Sequence, residues 1–405
     1  MPAPRTPHDA VLEAARDVVK LDCAYDAELL GTALLGSIYD LAESARADAL
    51  RTFVGDFLTV TADRTTPAAA AIRQIFATLV PDAKGASALR PAPGVPSWAG
   101  LLGRVRCTGT WAYGDVYGDQ TTYIASFAYD DESLGGPEHA VVTLVDHNIG
   151  IAKDVFVSGS AEKIVGQVRA LCAEDELTWF RDEAPERLRD QVARHLAITD
   201  DLTSLPTASS LSTDRALAGA RLAVLPGDSV ELPGPERLTD ASRSALVADF
   251  LRSPEAESQQ LDLLETETER SSLQFSVGLV IDHASTLPDA DPLRWSPAVA
   301  GFFLLDWVHR RAVLDVDDAA MLPRVVRAWA AYAHRRRELP DAAVSASIAQ
   351  LEDVIPEFVR LFTTGEQRSP ATAAVAQLLA EGVDPQDPDA LEAWLEARRQ
   401  PPAED

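Results

Sequence analysis

The sequence predicts an α+β protein in which a helical N-terminal block packs on a four-stranded antiparallel meander and a mainly α-helical second domain follows. Three observations predict this fold class. Residues before about 80 combine hydroxyl–proline helix starts with apolar residues at helical spacing. Residues 103–157 change to a two-residue alternation, and the pattern is helical throughout from about 272 to 362. The change of period along the chain separates the sheet from the helices on either side of it.

The N-terminal block is marked by a recurring helix-start signal. A Ser or Thr followed by Pro is typical of helix N-termini, because the hydroxyl accepts an unpaired backbone N–H and proline fixes a helical φ. The chain carries four such pairs: Thr6-Pro7, Thr66-Pro67, Ser296-Pro297 and Ser369-Pro370. With the apolar spacing, the first two pairs predict helices over 7–20, about 26–62 and 67–80, with a loop at 82–97.

The alternating region predicts four strands, at 103–113, 121–129, 140–145 and 151–157. Turn residues separate the last three from their predecessors: Gly118-Asp119, Gly135-Gly136-Pro137 and Asn148-Ile149-Gly150. Because successive strands are joined by short turns, the sequence favours an antiparallel meander.

Helical spacing resumes after the meander, at 161–173 and about 183–198. A stretch rich in Pro, Gly and Ser then predicts a connector that contains one short helix at 213–222. The predicted organisation is an α+β domain at 1–204, the connector at 205–236, a helical domain at 237–365, and short terminal helices with a tail at 366–405.

One predicted helix of the second domain is apolar on nearly every side. The run Ala298–Val308 is interrupted only by Asp306, which predicts a helix buried at the centre of the domain. A buried carboxylate needs a partner, so Asp306 is expected to pair with Arg310, one turn ahead, or with Arg294.

Composition limits the classes of function. With 36 basic against 63 acidic side chains, the formal net charge is −27, which excludes a general nucleic-acid binder and disfavours docking on anionic lipid. Cys23, Cys107 and Cys172 lie far apart without CxxC spacing, which predicts free thiols in a reducing compartment. Neither a signal-peptide core nor an apolar run long enough for a bilayer is evident, so a cytoplasmic protein without a membrane role is expected.

Acidic and imidazole side chains gather at the predicted strand ends of the meander. Carboxylate and imidazole are the groups that a metal-dependent hydrolase uses, so His139, Asp146 and His147 are candidate catalytic residues. The cluster has no HxxxH, HxH or DxD spacing, and we therefore assign no metal ligand and no cofactor. The alternative is turn chemistry, in which Asp and Asn cap tight turns and His147 bonds the backbone. The full cluster is Asp130, Asp131, His139, Asp146, His147 and Asp154.

A helix predicted over 321–338 carries an arginine-rich face in an otherwise strongly acidic chain. Arg324, Arg327 and Arg335 are the candidate ligand-binding residues on that face. One hypothesis is that these guanidinium groups pair with the acidic segment 255–269. The other is that they form an anion or phosphate site, or a docking face for an acidic partner.

Three segments carry a family resemblance: Gly135–Ala140 (GGPEHA), Val145–Gly150 (VDHNIG) and Asp291–Pro297 (DPLRWSP). With Leu304–Trp307, they resemble an uncharacterised family of actinobacterial proteins, and the similar stretches cover most of 100–370. That family has no assigned activity, cofactor or catalytic residue. The resemblance therefore implies a source and a domain extent, and it implies no mechanism.

The motifs of the common enzyme classes are missing from the sequence. There is no GxSxG nucleophile elbow, no GxxxxGK[ST] loop and no GxGxxG between a strand and a helix. We therefore expect a non-enzymatic cytoplasmic interaction or regulatory protein, and its negative field favours a basic protein partner. The alternatives are a metal-dependent hydrolase that uses the meander cluster and an anionic-ligand sensor that uses the helix at 321–338.

Overall fold

The structure is a computed structural model that describes residues 6–89, 94–204, 209–227, 237–384 and 387–399. The chain divides into two units, Met1–Pro233 and Gly234–Asp405. The first unit contains helices and one antiparallel sheet, and the described part of the second unit is helical. Each unit has an apolar core of its own, so the chain is an α+β protein.

The N-terminal block consists of α1 (Pro7–Ala14), a 3₁₀ turn (Val18–Lys20), α2 (Ala24–Leu41), α3 (Arg46–Val60) and α4 (Pro67–Leu79). The predicted starts are confirmed, because Thr6 Oγ1 accepts the N–H of Asp9 and Thr66 Oγ1 accepts that of Ala69. The predicted helix over 26–62 is two helices, and Ala45 separates them with a left-handed φ of 48°.

The sheet contains β1 (Val105–Asp115), β2 (Gln120–Tyr129), β3 (His139–Asp146), β4 (Ile151–Ser158) and β5 (Thr178–Asp182), with a short helix α5 (Glu132–Gly135) before β3. All pairs are antiparallel in the order β4-β3-β2-β1-β5. The four predicted strands are confirmed, but the predicted four-stranded sheet is wrong by one strand. β5 has only five residues, and it pairs with β1, which lies far away in the sequence; Phe180 is opposite Tyr113. The local spacing of apolar residues therefore does not reveal this strand.

Helices cover both faces of the sheet. They are α6 (Ala161–Glu174), α7 (Pro185–Asp200) and α8 (Ser209–Leu222) together with the N-terminal block. Tyr123 and Ala125 face the main core, which includes residues of α2, α7 and α8, whereas Ile124 packs with Val165 of α6 on the other side. The two-residue alternation of β2 therefore divides between two apolar layers.

The structure corrects the predicted connector. Leu211, Leu217 and Ala218 of α8 are buried in the main core of the first unit, and Thr32 of α2 donates to the carbonyl of Thr213 at 2.8 Å. The helix predicted at 213–222 is thus an integral part of the first unit. A sequence rich in turn residues on both sides of a helix indicates a linker, but it does not show which core the helix joins.

The second unit contains α9 (Asp240–Leu251), α10 (Pro254–Ser258), α11 (Glu267–Ala284), α12 (Pro297–Phe302), a π-helical turn (Phe303–Trp307), α13 (Val308–Arg311), α14 (Val316–Arg336), α15 (Asp341–Thr364), α16 (Pro370–Ala380) and α17 (Pro388–Arg399). Its core is aromatic, with Trp295, Phe303, Trp329 and Tyr332 fully buried. Ser296 and Ser369 cap α12 and α16, as their Ser-Pro pairs predict.

For the predicted helix at 298–308, the ion pair is confirmed and the complete burial is wrong. Arg310 Nε lies 2.7 Å from Asp306 Oδ1, which confirms the predicted ion pair. The side chain of Asp306 is 31% exposed, however, and Phe302 is 53% exposed, so the helix is not buried on every side. A π-helical turn interrupts it and shifts the residues that follow to another face.

Two further sequence expectations concern cysteines and membranes. Cys23, Cys107 and Cys172 are free thiols. Every helix in the described part of the chain is too short or too polar to cross a membrane.

Candidate functional site

The three candidate catalytic residues of the meander do not converge. His139 is the first residue of β3 and lies opposite Phe127, whereas Asp146 is the last and lies opposite Gln120. At about 3.4 Å per residue, the seven steps between them separate the two ends by about 24 Å. The structure therefore brings Asp146 and His147 together at one end of the sheet and places His139 at the other.

Asp146 and His147 organise the turn between β3 and β4. The Asp146 carboxylate accepts the N–H of Asn148 at 3.0 Å and receives the Lys153 ammonium at 3.4 Å. His147 Nε2 lies 2.9 Å from Thr121 Oγ1, and its ring stands edge-on to that of His195 at 5.5 Å. Within the described residues, no three His, Cys, Asp or Glu side chains form a group that could hold a metal ion.

Asp131 and Asp154, two other acids of the cluster, also cap or join elements. Asp131 Oδ1 accepts the hydroxyl of Ser133 at 2.6 Å and the N–H of Ser133 at 2.9 Å at the start of α5, and these two hydrogen bonds lower the pKa of Asp131. Asp154 accepts the hydroxyl of Ser210 and so ties β4 to α8. The contacts of Asp131 are those of the turn hypothesis, whereas Asp154 makes a contact between two elements far apart in the chain.

His139 belongs instead to a polar network in the main core of the first unit. Arg221 Nε donates to His139 Nε2 at 2.9 Å, so His139 carries its proton on Nδ1, which lies 3.2 Å from the carbonyl of Pro137. Arg221 also donates to Glu28 and to the Tyr129 hydroxyl, and that hydroxyl donates to Glu28 Oε2 at 2.6 Å. We call these four side chains the Arg221 network.

The Arg221 network is closed to solvent. Glu28, His139 and Arg221 have no exposed surface, and Tyr129 is 4% exposed. Burial, reinforced by the Arg221 guanidinium, lowers the pKa of His139 to about 4, and burial raises the pKa of Tyr129 well above its usual range. A neutral histidine and a sealed ion pair join α2, α8, β2 and β3, which is a structural role.

Sequence analysis missed the Arg221 network. Glu28 is the first acid before the apolar run Leu29–Ile38, and Arg221 lies near the end of the short helix in the predicted connector. A charged residue on the apolar side of a helix is the only signal in the sequence, and it does not identify the partner.

The candidate arginines of α14 are all engaged by acceptors of the second unit. Arg324 donates to the carbonyls of Gln259 and Gln260, at 2.7 and 3.1 Å. Arg335 Nε lies 2.6 Å from Glu255 Oε1, which confirms pairing with the acidic segment 255–269 for this residue.

Arg327 finds its partner on a different helix. It forms a two-pronged pair with Glu352 of α15, at 2.6 and 3.0 Å. Hydrogen bonding to this guanidinium lowers the pKa of Glu352. The arginine-rich face therefore joins α14 to its neighbours.

One cavity of about 510 Å³ lies in the first unit. Most of its charged lining is already bonded: Arg215 bonds Asp200 at 2.6 Å, Arg51 bonds Asp48, and Arg189 donates to the carbonyl of Leu225 at 2.9 Å. This balance of three guanidinium groups and nearby carboxylates gives the cavity no clear preference for one sign of ligand charge.

A second cavity of about 510 Å³ lies in the helical unit, between α9 and α11. Most of its lining is apolar: Val247 and Leu251 come from α9, Leu273 and Val277 from α11, and Leu261 and Leu264 from the segment before α11. Asp262, Arg270 and Gln274 complete it. We call this cavity the α9/α11 groove.

The rim of the α9/α11 groove is acidic. Asp262 and Glu265 are exposed and form no ion pair among the described residues. Arg270, the one basic residue of the lining, is bound by Glu267 at 3.1 Å and donates to the carbonyl of Leu264. The groove is thus an apolar surface with one unpaired carboxylate, Asp262, in its lining and a second, Glu265, on the adjoining segment.

Comparison with known proteins yields no match to a protein-family model, to a curated protein sequence or to a solved structure. The resemblance to actinobacterial proteins therefore stays a prediction.

Proposed function

We propose that the protein is a non-enzymatic cytoplasmic interaction or regulatory protein that binds a partner protein through the α9/α11 groove. The observation that carries the proposal is the groove itself, an apolar cavity of about 510 Å³ in the helical unit. Apolar surface left in contact with water costs about 25 cal/mol per Å², so a partner that covers it gains free energy. Apolar grooves with a few polar groups at the edge are typical binding surfaces.

The groove has a floor of buried side chains and walls of partly exposed ones. Leu261, Leu273 and Val277 are buried and form a floor that belongs to the core of the unit. Val247 and Leu264 are half-buried, so part of each side chain faces the groove. A partner would therefore meet a preformed surface, and little ordering of the protein would oppose binding.

The alternatives receive less support from the described residues. A hydrolase built on the meander cluster needs its ligands in one place, and His139 and Asp146 occupy opposite ends of β3. An anion sensor built on α14 needs free guanidinium donors, and Arg324, Arg327 and Arg335 already donate to protein acceptors.

The test is a selection of random helical peptides on the full-length protein. We expect peptides whose binding is lost in Leu264→Asp, because a carboxylate in the groove opposes burial of an apolar anchor. The matched control is Leu263→Asp, since Leu263 is 66% exposed and does not line the groove.

Thermal melts of both variants would check that they remain folded. A selection that yields no peptide sensitive to Leu264→Asp would contradict the proposed function. Peptides that lose binding equally in both variants would contradict it as well.

A further inference from the structure

We propose that the occupant of the α9/α11 groove is an amphipathic α-helix of a partner protein, with apolar anchors on one face and Lys or Arg beside them. The inference rests on the proposed function and specifies the partner's chemistry. It is carried by the shape of the groove together with the sign of the charge on its rim.

The shape fits a helix. On α11, Arg270, Leu273, Gln274 and Val277 stand at i, i+3, i+4 and i+7, which places them on one face over two turns, about 10 Å. A trough between two helices accepts the ridge of a third, with anchors at the same helical spacing. The described part of this unit has no strand, so an extended partner would find no sheet edge there.

The acidic side chains at the groove favour a partner helix that carries positive charge. Asp262 lines the groove and Glu265 follows the lining residue Leu264, and neither carboxylate has an ion-pair partner among the described residues. The basic residue of the lining, Arg270, is neutralised by Glu267. Positive side chains beside the apolar anchors would meet Asp262, the neighbouring Glu265 would add to the attraction, and the net charge of −27 would speed the encounter.

The same charges disfavour two other occupants. A second copy of this chain would bring the same net charge of −27 to the acidic rim. An anionic lipid headgroup would also be repelled. A basic helix satisfies both the apolar lining and the rim.

The experiment uses synthetic helical peptides and the full-length protein. The first peptide has about 14 residues, roughly four turns, with Leu along one face and Lys on both sides of it. The second replaces each Lys by Glu, and the third keeps the composition of the first with the Leu residues scattered around the helix. Binding is measured by fluorescence anisotropy at low and at raised ionic strength.

We expect the Lys peptide to bind about tenfold more tightly than the Glu peptide, with the difference shrinking as salt screens the rim. The double variant Asp262→Lys/Glu265→Lys should reverse the order of the two peptides. Asp353→Lys, on the exposed surface of α15 and outside the groove lining, should leave it unchanged. The scattered peptide and the Leu264→Asp variant should bind weakly.

Equal binding of the Lys and Glu peptides would overturn the inference, as would failure of the Lys peptide to bind. Selected peptides that need Leu264 but are acidic or neutral would overturn the inference and leave the proposed function standing. Self-association that is lost in Leu264→Asp would assign the groove to a second copy of the chain and would also overturn it.

Discussion

Two ion pairs in this protein have the same chemistry and opposite surroundings. The side chains of Glu28 and Arg221 are fully buried, whereas those of Asp306 and Arg310 are 31% and 56% exposed. Water screens the second pair and does not reach the first. A buried charge that loses its partner keeps its whole desolvation cost, while an exposed one is hydrated again.

We expect Glu28→Ala to lower the free energy of unfolding of the first unit by about 3–5 kcal/mol, because Arg221 would remain buried without a counter-charge. Arg310→Ala should cost less than about 1 kcal/mol, as is usual for a solvent-exposed pair. Urea denaturation of both variants measures the difference. The double variant Glu28→Leu/Arg221→Met should recover much of the loss, and similar costs for the two single variants would contradict the assignment.

His283 of α11 is a polar side chain in the apolar core of the second unit. It is fully buried, its ring nitrogens make no hydrogen bond of ordinary geometry, and the rings of Phe303 and Trp307 lie 5.3 and 5.2 Å away. Burial lowers the pKa of His283 to about 4, the Arg294 guanidinium acts in the same direction, and the main chain of Val299 opposes both weakly. The folded state therefore holds this imidazole neutral.

The second unit should lose stability as the pH falls from about 6.5 to about 4. In this window the unfolded chain binds a proton at His283 that the folded chain does not, so acid favours unfolding. A pKa that moves from 6.5 to about 4 corresponds to about 3 kcal/mol of lost stability. Urea midpoints measured across this range would show the loss.

The control is His283→Phe, which keeps an aromatic ring and removes both nitrogens. It should be neutral or stabilising near neutral pH, because no unsatisfied polar atom remains at this position. It should also reduce the loss of stability in acid, although His309 and His334, whose pKa values burial also lowers, keep part of it. A variant that retains the full acid sensitivity of the wild type would show that other groups cause it.

At the scale of elements, two glycines inside helices have opposite roles. A Cβ on Gly36 of α2 would lie 2.8 Å from the carbonyl oxygen of Ser212 in α8, so α2 and α8 approach each other through this glycine. A Cβ on Gly166 of α6 would meet nothing within 4 Å. Helix propensity favours alanine at both positions, but packing opposes it at Gly36.

We expect Gly36→Ala to destabilise the first unit by about 1–3 kcal/mol, since the backbones of α2 and α8 must move apart. Gly166→Ala should instead stabilise it by about 0.5–1 kcal/mol, the gain in helix propensity. Thermal or urea unfolding of the two variants gives the comparison. Stabilisation by both substitutions would mean that α2 and α8 do not pack as described.

At the scale of the whole molecule, α8 decides where the first unit ends. Its residues Leu211, Leu217 and Ala218 fill the main core, and Arg221 neutralises Glu28. A chain that ends at 204 would leave the α2 face uncovered and a carboxylate buried alone. The unit therefore needs the residues that the sequence predicts to be a connector.

A protein that comprises residues 1–233 should unfold cooperatively, with dispersed amide NMR signals, because it contains the whole first core. A protein that comprises residues 1–204 should lack a cooperative transition and bind hydrophobic dyes, as expected when specific packing is lost. Circular dichroism melts and two-dimensional NMR spectra of both would decide. If both proteins fold equally well, α8 is not required and the sequence-based domain boundary at residue 204 is correct.

Local signals in the sequence determined the elements. The Thr-Pro and Ser-Pro pairs placed the starts of α1, α4, α12 and α16, and two-residue alternation placed the first four strands. These features depend on residues within one turn or one strand, because capping and pleating are set by near neighbours. The α+β class followed from their order along the chain.

Tertiary structure alone decided which of these elements share a core and which polar groups meet. In the sequence, His139 and Asp146 were equally plausible catalytic residues. In the structure, His139 is buried beside Arg221 at one end of β3, and Asp146 caps a turn at the other end. β5, the place of α8 and the α9/α11 groove likewise depend on pairings between residues far apart in the chain. Because burial, pKa and surface shape arise from such pairings, no local pattern specifies them.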